Sequence, residues 1–248
     1  MSREFAPGML CMGHCDLTTV GCWMERWGAG HQLARHRHRQ AYVAVIVSGG
    51  YEECGSRGRY RVRPGDVLVH DLFDSHLDRF DDGETQVLNL ALAGPAPDYA
   101  LGRIADPDAL VHAAERGPAE AGTCLREQLT AAERKPEDWP DLLACDLLAN
   151  PAYPLGHWAD RHGFTAETLS RGFGRVFGIS PAAFRLEARA RRALLRIVGG
   201  REPLTFIALE AGFADAAHMS RAVRALTGFP PRHWRQSNSF KTNDTRSD

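Results

Sequence analysis

His36 and His38 stand two positions apart in the run Arg35-His-Arg-His-Arg39, and His76 follows further along the chain. On a strand, residues two apart project from the same face, so His36 and His38 can point at one ligand. Imidazole nitrogens bind zinc, nickel or iron, and they also hydrogen-bond organic molecules. Tyr42 is the nearest further donor in the segment, and no carboxylate accompanies it. Three readings stay open. The histidines hold a divalent metal, with Tyr42 beside them; they line a metal-free pocket; or Arg35, Arg37 and Arg39, on the opposite phase, face inward and the histidines face water.

The elements around these residues read as β-structure. Short alternating runs at Tyr42–Val47, Arg59–Arg63, Val67–Val69 and Gln86–Leu92 are separated by Gly, Asp and Pro. In Arg59–Arg63 the arginines take one face while Tyr60 and Val62 take the other, the pattern of a half-buried strand. From Gly30 the chain passes His36, His38, Tyr42 and Gly49, and a second stretch runs from Gly65 to His76. Together these resemble the two motifs of the cupin barrel. The resemblance implies a β-barrel and assigns His36, His38 and His76 to the three metal-binding histidines. It also departs from the pattern: Tyr42 stands where a glutamate is usual, and Phe80 where an asparagine often closes the second motif.

Between Leu169 and Arg235 the chain states one pattern twice, about fifty residues apart. Leu169-Ser170-Arg171, Gly178, Pro181 and Arg185 return as Met219-Ser220-Arg221, Gly228, Pro231 and Arg235. Each copy follows a short amphipathic stretch closed by Ala-x-x-x-Gly, Ala159 to Gly163 and Ala208 to Gly212. Glycine supplies the positive φ that ends a first helix and makes a tight turn. Thr165 and Asp215 then sit where helix N-caps belong. Leu169, Phe173 and Val176, and Met219, Val223 and Leu226, form the buried faces. A repeated unit of this kind reads as two helix-turn-helix motifs in tandem.

Residues from about 142 to 236 resemble the DNA-binding domain of the AraC/XylS family, most closely over Ile207–Arg221, Thr227–Pro231 and Trp234–Arg235. That resemblance implies a long helix from Pro181 to about Val198 joining two units that read successive major-groove segments. The groove faces expected are Thr165, Glu167, Thr168, Ser170, Arg171 and Arg175 in the first unit. In the second they are Ala216, Ala217, His218, Ser220, Arg221 and Arg224. Gly172 and Gly174 depart from a good helix, each costing about 1 kcal/mol relative to Ala, and Val223 replaces a usual aromatic. Cupin-like sensors are common in front of such domains.

Charge and composition agree with this division. From residue 150 onward fifteen Arg or Lys face eight Asp or Glu, whereas residues 1–149 carry fifteen against twenty-three. The overall charge of −1 thus hides a basic C-terminal half suited to phosphate. No apolar run approaches the roughly 20 residues of a membrane span, and the first residues lack a signal-peptide layout. A cytoplasmic location is therefore expected. Cys11 and Cys15, with His14 between them and Cys22 nearby, match no closed zinc motif and read as free thiols; metal binding or oxidation sensing stays open.

The expected fold is α+β in two domains. It comprises a cupin-like β-barrel over 1–95, a helical connector over 96–137 and an all-α tandem helix-turn-helix domain over 138–236, followed by a disordered tail over 237–248. Helices are expected from Pro107 to about Glu115 and from Ala119 to about Arg134. They could dock on the barrel or pair with a second copy. A further helix from Asp138 should bury Leu142, Leu143, Leu147 and Leu148. The expected function is a transcription regulator, an activator or a repressor, that binds double-stranded DNA in response to a small-molecule or metal effector. A divalent metal at His36, His38 and His76 is the candidate cofactor, and RNA polymerase and a second copy of the chain are the candidate protein partners. No catalytic residue is expected. The rival is a cupin metalloenzyme, a dioxygenase or isomerase, fused to a DNA-binding domain.

Overall fold

The computed structural model describes residues 17–94, 96–133 and 135–235. The N-terminal half is antiparallel β-structure: β1 (Thr19–Trp27), β2 (Gln32–Arg37), β3 (Tyr42–Ser48), β4 (Tyr51–Gly55), β5 (Gly58–Val62), β6 (Asp66–His70), β7 (Ser75–Phe80), β8 (Thr85–Leu92), β9 (Leu101–Arg103) and β10 (Thr130–Ala131). They form a six-stranded sheet, β1-β8-β3-β6-β9-β10, and a four-stranded sheet, β2-β7-β4-β5. Among the described residues no ladder joins the two, so the expected barrel is an open pair of facing sheets. Their inner faces close on side chains instead. Tyr42, Ala44, Ile46 and Leu68 from one sheet pack with Tyr51, Val62 and Phe80 from the other.

The six-stranded sheet is covered on both faces. This is why Tyr42–Ile46 is an unbroken buried run and not a half-buried alternation. Its outer face carries Val43, Val45, Val67, Val69 and Leu90, which pack against Leu110 of α1 (Pro107–Arg116) and Ala121 and Leu125 of α2 (Pro118–Gln128). The connector helices therefore dock on the sheet. Asp106 caps α1 through the Ala109 amide, as its position before Pro107 suggests. The second helix stops at Gln128, short of the expected Arg134, because Leu129 turns extended and Thr130–Ala131 pairs with β9. Strand β9, after the Pro95–Pro97 break, is absent from the expectation; Pro95 and Arg134 themselves lie outside the described residues.

The C-terminal half is helical: α3 (Trp139–Ala149), α4 (Leu155–His162), α5 (Ala166–Phe177), α6 (Pro181–Gly199), α7 (Leu204–Glu210) and α8 (Ala216–Thr227). In α3, Leu143 and Leu147 are buried, but Leu142 is 44% exposed and Leu148 half-buried. The expectation of four buried leucines fails because α3 buries Leu143, Ala144 and Leu147 as one face, and at about 100° per residue Leu142 points away from it while Leu148 falls at its edge.

Both repeated units form as their landmarks require. Gly163 ends α4 in the left-handed region, and Thr165 Oγ1 accepts the Thr168 amide to start α5. Gly212 turns between α7 and α8 at φ 81°, and Asp215 accepts the His218 amide. Leu169, Phe173 and Phe177 fill the first core, and Met219, Val223 and Leu226 the second. Val176, expected in the first core, is half-buried, with Phe177 taking its place.

The two glycines of α5 differ. A Cβ at Gly172 would lie 2.4 Å from the indole of Trp139, so a close approach of α3 requires that residue. A Cβ at Gly174 would meet only the Ile179 carbonyl oxygen at 3.8 Å. Gly174→Ala should therefore raise stability by about 1 kcal/mol in chemical denaturation, while Gly172→Ala should lower it despite the same gain in helix propensity.

Candidate functional site

The space between the two sheets ends in a cluster of imidazoles. Register places His36 of β2 opposite His76 of β7, and Tyr42 of β3 opposite His70 of β6. The His36 ring lies 4.8 Å from His38 and 4.4 Å from His76, and His38 stacks on His76 at 5.1 Å. The three expected histidines therefore converge, with ligand atoms within 4.8 Å of one another. Tyr42 joins them, its hydroxyl 3.2 Å from His76 Nε2 and its ring stacked on His70. The arginines of the opposite phase do not face inward. Phe80, at the expected asparagine position, stacks on Trp27 in the pocket wall.

A cavity of about 200 Å³ opens onto this cluster, walled by Trp23, Trp27, Leu33, Tyr51 and Phe80. Its chemistry is an apolar, aromatic body with a polar end. Burial, then the neighbouring His76 and His36, lower the His38 pKa to about 4, so its ring is neutral near pH 7. Burial also holds the Tyr42 phenol well above its ordinary value, with Glu53 adding to the effect. His38 Nε2 is buried without a hydrogen-bond partner. A neutral imidazole with an unused nitrogen beside two more suits a metal ion, and equally a donor group on an organic ligand.

The sequence reading missed three residues here: Glu53, His70 and Asp78, all buried. Asp78 lies 2.9 Å from His76 Nδ1, and Glu53 3.4 Å from the same nitrogen. For His76, burial acts to lower the pKa, but the Glu53 and Asp78 carboxylates outweigh it and raise the value. Burial lowers His70, with His76 adding to it, and burial raises Glu53. Strand phase was the available signal: Glu53 is two residues from inward-facing Tyr51, and Asp78 two from His76.

The outer face of the same four-stranded sheet is covered by the helical half. Arg35 and Arg37 both reach Glu187 of α6, at 2.8 and 3.2 Å, and Ser75 donates to that carboxylate. Arg37 also donates to the Leu226 carbonyl at the end of α8, and Arg79 to the Arg175 and Val176 carbonyls near the end of α5. Arg59 pairs with Asp138 and Asp141 at the start of α3. Arg191 of α6 reaches back to Asp74 and Ser56. Apolar side chains cross the boundary too. Cys54 and Leu77 lie in the core of the first unit and Phe73 in that of the second, its ring 5.3 Å from Trp234. Phe73 is the one non-glycine residue at positive φ among the described residues.

Most of the proposed groove-facing residues lie open. Thr165, Glu167, Thr168, Ser170, Arg171 and Arg175 are exposed, as are Ala217, Arg221 and Arg224, while Ala216, His218 and Ser220 are half-buried. Arg171 is held by Glu167 at 3.1 Å across one helical turn. Ser220 Oγ is turned back onto the Ala216 carbonyl. Cys11, His14 and Cys15, and the tail over 237–248, lie outside the described residues; Cys22 is a half-buried free thiol.

Residues 158–237 match the family described as a helix-turn-helix domain. Over 79 residues the chain is 32% identical to the virulence regulon transcriptional activator VirF of Yersinia enterocolitica and to the thermoregulatory protein LcrF of Yersinia pestis. Over residues 158–237 this chain therefore carries a helix-turn-helix domain. The aligned stretch is 32% of this chain and 29% of each relative, so the likeness covers less than a third of their length. Among solved structures, ToxT of Vibrio cholerae aligns over 88% of this chain and 98% of its own, at 9% identity and a TM-score of 0.39. The C-terminal domain of AraT from Geobacillus stearothermophilus aligns over 40% and 84%, at 19% identity and 0.38. At those values the structural likenesses add nothing to the helix-turn-helix match. Among the described residues no helix is long and apolar enough to cross a membrane.

The ionic junction has a measurable weight. Glu187→Gln removes the charge shared by Arg35 and Arg37, and should lower stability of the full chain by about 1–3 kcal/mol. Hydrogen exchange should rise along β2 and α6 together, which separates loosening of the junction from local damage to either element.

Proposed function

We propose that this chain is a transcription regulator that reads duplex DNA through α5 and α8 and is controlled by an effector bound at His36, His38, Tyr42 and His76. The observation that carries the first part is the tandem helix-turn-helix domain with both recognition helices exposed. For the second part, the four-stranded sheet has the pocket on one face and the helical domain on the other. An effector that shifts β2 or β7 moves Arg35, Arg37 and Ser75, and these hold α6, which joins the two readers. Such control requires the effector to bind the two reader arrangements with different affinity.

The effector class follows from the pocket: a small molecule with an aromatic or apolar body and one polar end, or a metal bound by the three imidazoles. If a metal sits there, His36, His38 and His76 Nε2 would supply its ligands, Asp78 at His76 Nδ1 would orient that ring with Tyr42 beside the bound nitrogen, and the metal would give a Lewis-acidic anchor for the effector. Partners in this reading are DNA, RNA polymerase and a second copy of the chain, in the cytoplasm. We assign no catalytic step. The rival metalloenzyme reading has the imidazole cluster in its favour and nothing in the helical half.

Arg171 and Arg221 divide the reading of DNA. In the first unit, Arg171→Ala should relax sequence preference and cost about 1–3 kcal/mol at one base pair. In the second, Arg221→Ala should weaken binding to all sequences more evenly and flatten the salt dependence. Selection from random duplexes with the full chain and both variants tests this. Binding by the full chain that does not weaken as salt rises would overturn the assignment.

His38→Ala should abolish the response to the effector while leaving effector-free DNA affinity within about twofold, since His38 faces the pocket and not the junction. Gel-shift titrations with and without effector read both quantities.

A further inference from the structure

His76 also borders a second, smaller space that neither His36 nor His38 touches. It has a volume of about 10 Å³ and is lined by Glu53, Ser56, His70, Asp74 and His76. A space of that size holds one water molecule or one ion. Glu53 Oε2 lies 3.5 Å from His70 Nε2 and 3.4 Å from His76 Nδ1. Neither contact is a hydrogen bond: Glu53 Oε2 and His70 Nε2 are both buried and without a partner. Two buried polar atoms converging without bonding each other are destabilising unless something between them accepts both.

The spacing identifies what fits. Nitrogen and carboxylate ligands bind zinc at about 2.0–2.1 Å, so two of them at the tetrahedral angle stand about 3.4 Å apart. Both observed separations have that length. The donor set, two imidazoles and a carboxylate, suits zinc and its neighbours better than calcium or magnesium.

We propose that Glu53, His70 and His76 bind a divalent transition-metal ion of the zinc class in this inner cavity, distinct from the effector pocket. The ligand atoms are Glu53 Oε2, His70 Nε2 and His76 Nδ1. On loading, the Nδ1 proton that His76 shares with Asp78, 2.9 Å away, is released to solvent and frees that nitrogen for the ion. Charge then balances: one divalent cation, two neutral imidazoles, and the carboxylates of Glu53 and Asp78. With Nδ1 bound, Nε2 carries the remaining ring proton and donates to Tyr42. The outer pocket is left to an organic ligand. The cavity also abuts the junction, because Ser56 and Asp74 on its wall hold Arg191 of α6.

The test is a titration of the purified, chelator-stripped full chain with Co²⁺ alone, read by its visible ligand-field band and by metal content. One equivalent should bind, and His36→Ala/His38→Ala should keep it. Glu53→Gln and His70→Gln should each lose about tenfold or more in affinity. If Glu53→Gln does not fold by circular dichroism, Glu53→Asp, which keeps the charge and shortens the arm, should show the same loss. The proposal is overturned if the parent chain takes up no Co²⁺. It is equally overturned if His36→Ala/His38→Ala abolishes uptake, which places the ion in the effector pocket, or if Glu53→Gln and His70→Gln bind as the parent does. None of these results bears on DNA binding, so the DNA-reading half of the proposed function stands or falls separately.

Discussion

A strand cannot present consecutive residues to the same side, and in the four-stranded sheet that rule joins the pocket to the helix-turn-helix domain. On β7, His76, Asp78 and Phe80 face inward while Ser75, Leu77 and Arg79 face the helices. On β2, His36 faces the pocket while Arg35 and Arg37 reach Glu187. On β4, Glu53 faces inward and Cys54 packs in the first helical core. A one-residue slip of β2 or β7 would bury guanidinium groups in the pocket and turn imidazoles onto the helical half. Pocket and junction are thus two sides of one sheet, a single strand thick.

The junction is mostly ionic, and its physical value lies in placement more than in stability. Removing a charge from water costs several kcal/mol, and pairing recovers that only when the geometry is good. Arg35 and Arg37 share one carboxylate, Arg59 has two, and Asp74 with Ser56 meets Arg191. Each arrangement leaves a buried charge if the partner moves, so intermediate positions of the helical half are penalised. Phe73 adds an apolar element to the same seam. Its left-handed backbone costs of order 1 kcal/mol, a small sum beside the roughly 3–5 kcal/mol of a fully buried aromatic ring. The ring in the second core therefore outweighs the strain in the loop.

Gly178 shows how closely the halves meet. It ends α5 in the left-handed region, which its place in the repeat already implied, and a Cβ there would also lie 2.7 Å from Leu77 of β7. One residue type satisfies a helix end and a domain contact, and only the first requirement shows in the local sequence.

What the sequence by itself determined is local. The helix caps Thr165 and Asp215, the turns at Gly163 and Gly212, the buried face of α8 and the shared face of His36 and His38 all follow from interactions a few residues apart, and the structure has them. Expectations failed where a distant element decides. Leu129 leaves its helix because β9 offers an edge to pair with, Trp139 explains Gly172, and the two sheets meet without closing into a barrel. Glu53, His70 and Asp78 joined the histidines only through cross-strand register between segments far apart in the chain. The arginines of β2, read as a possible inward face, found their partner on α6. A strand's period states which residues share a side, and only tertiary packing decides what each side meets.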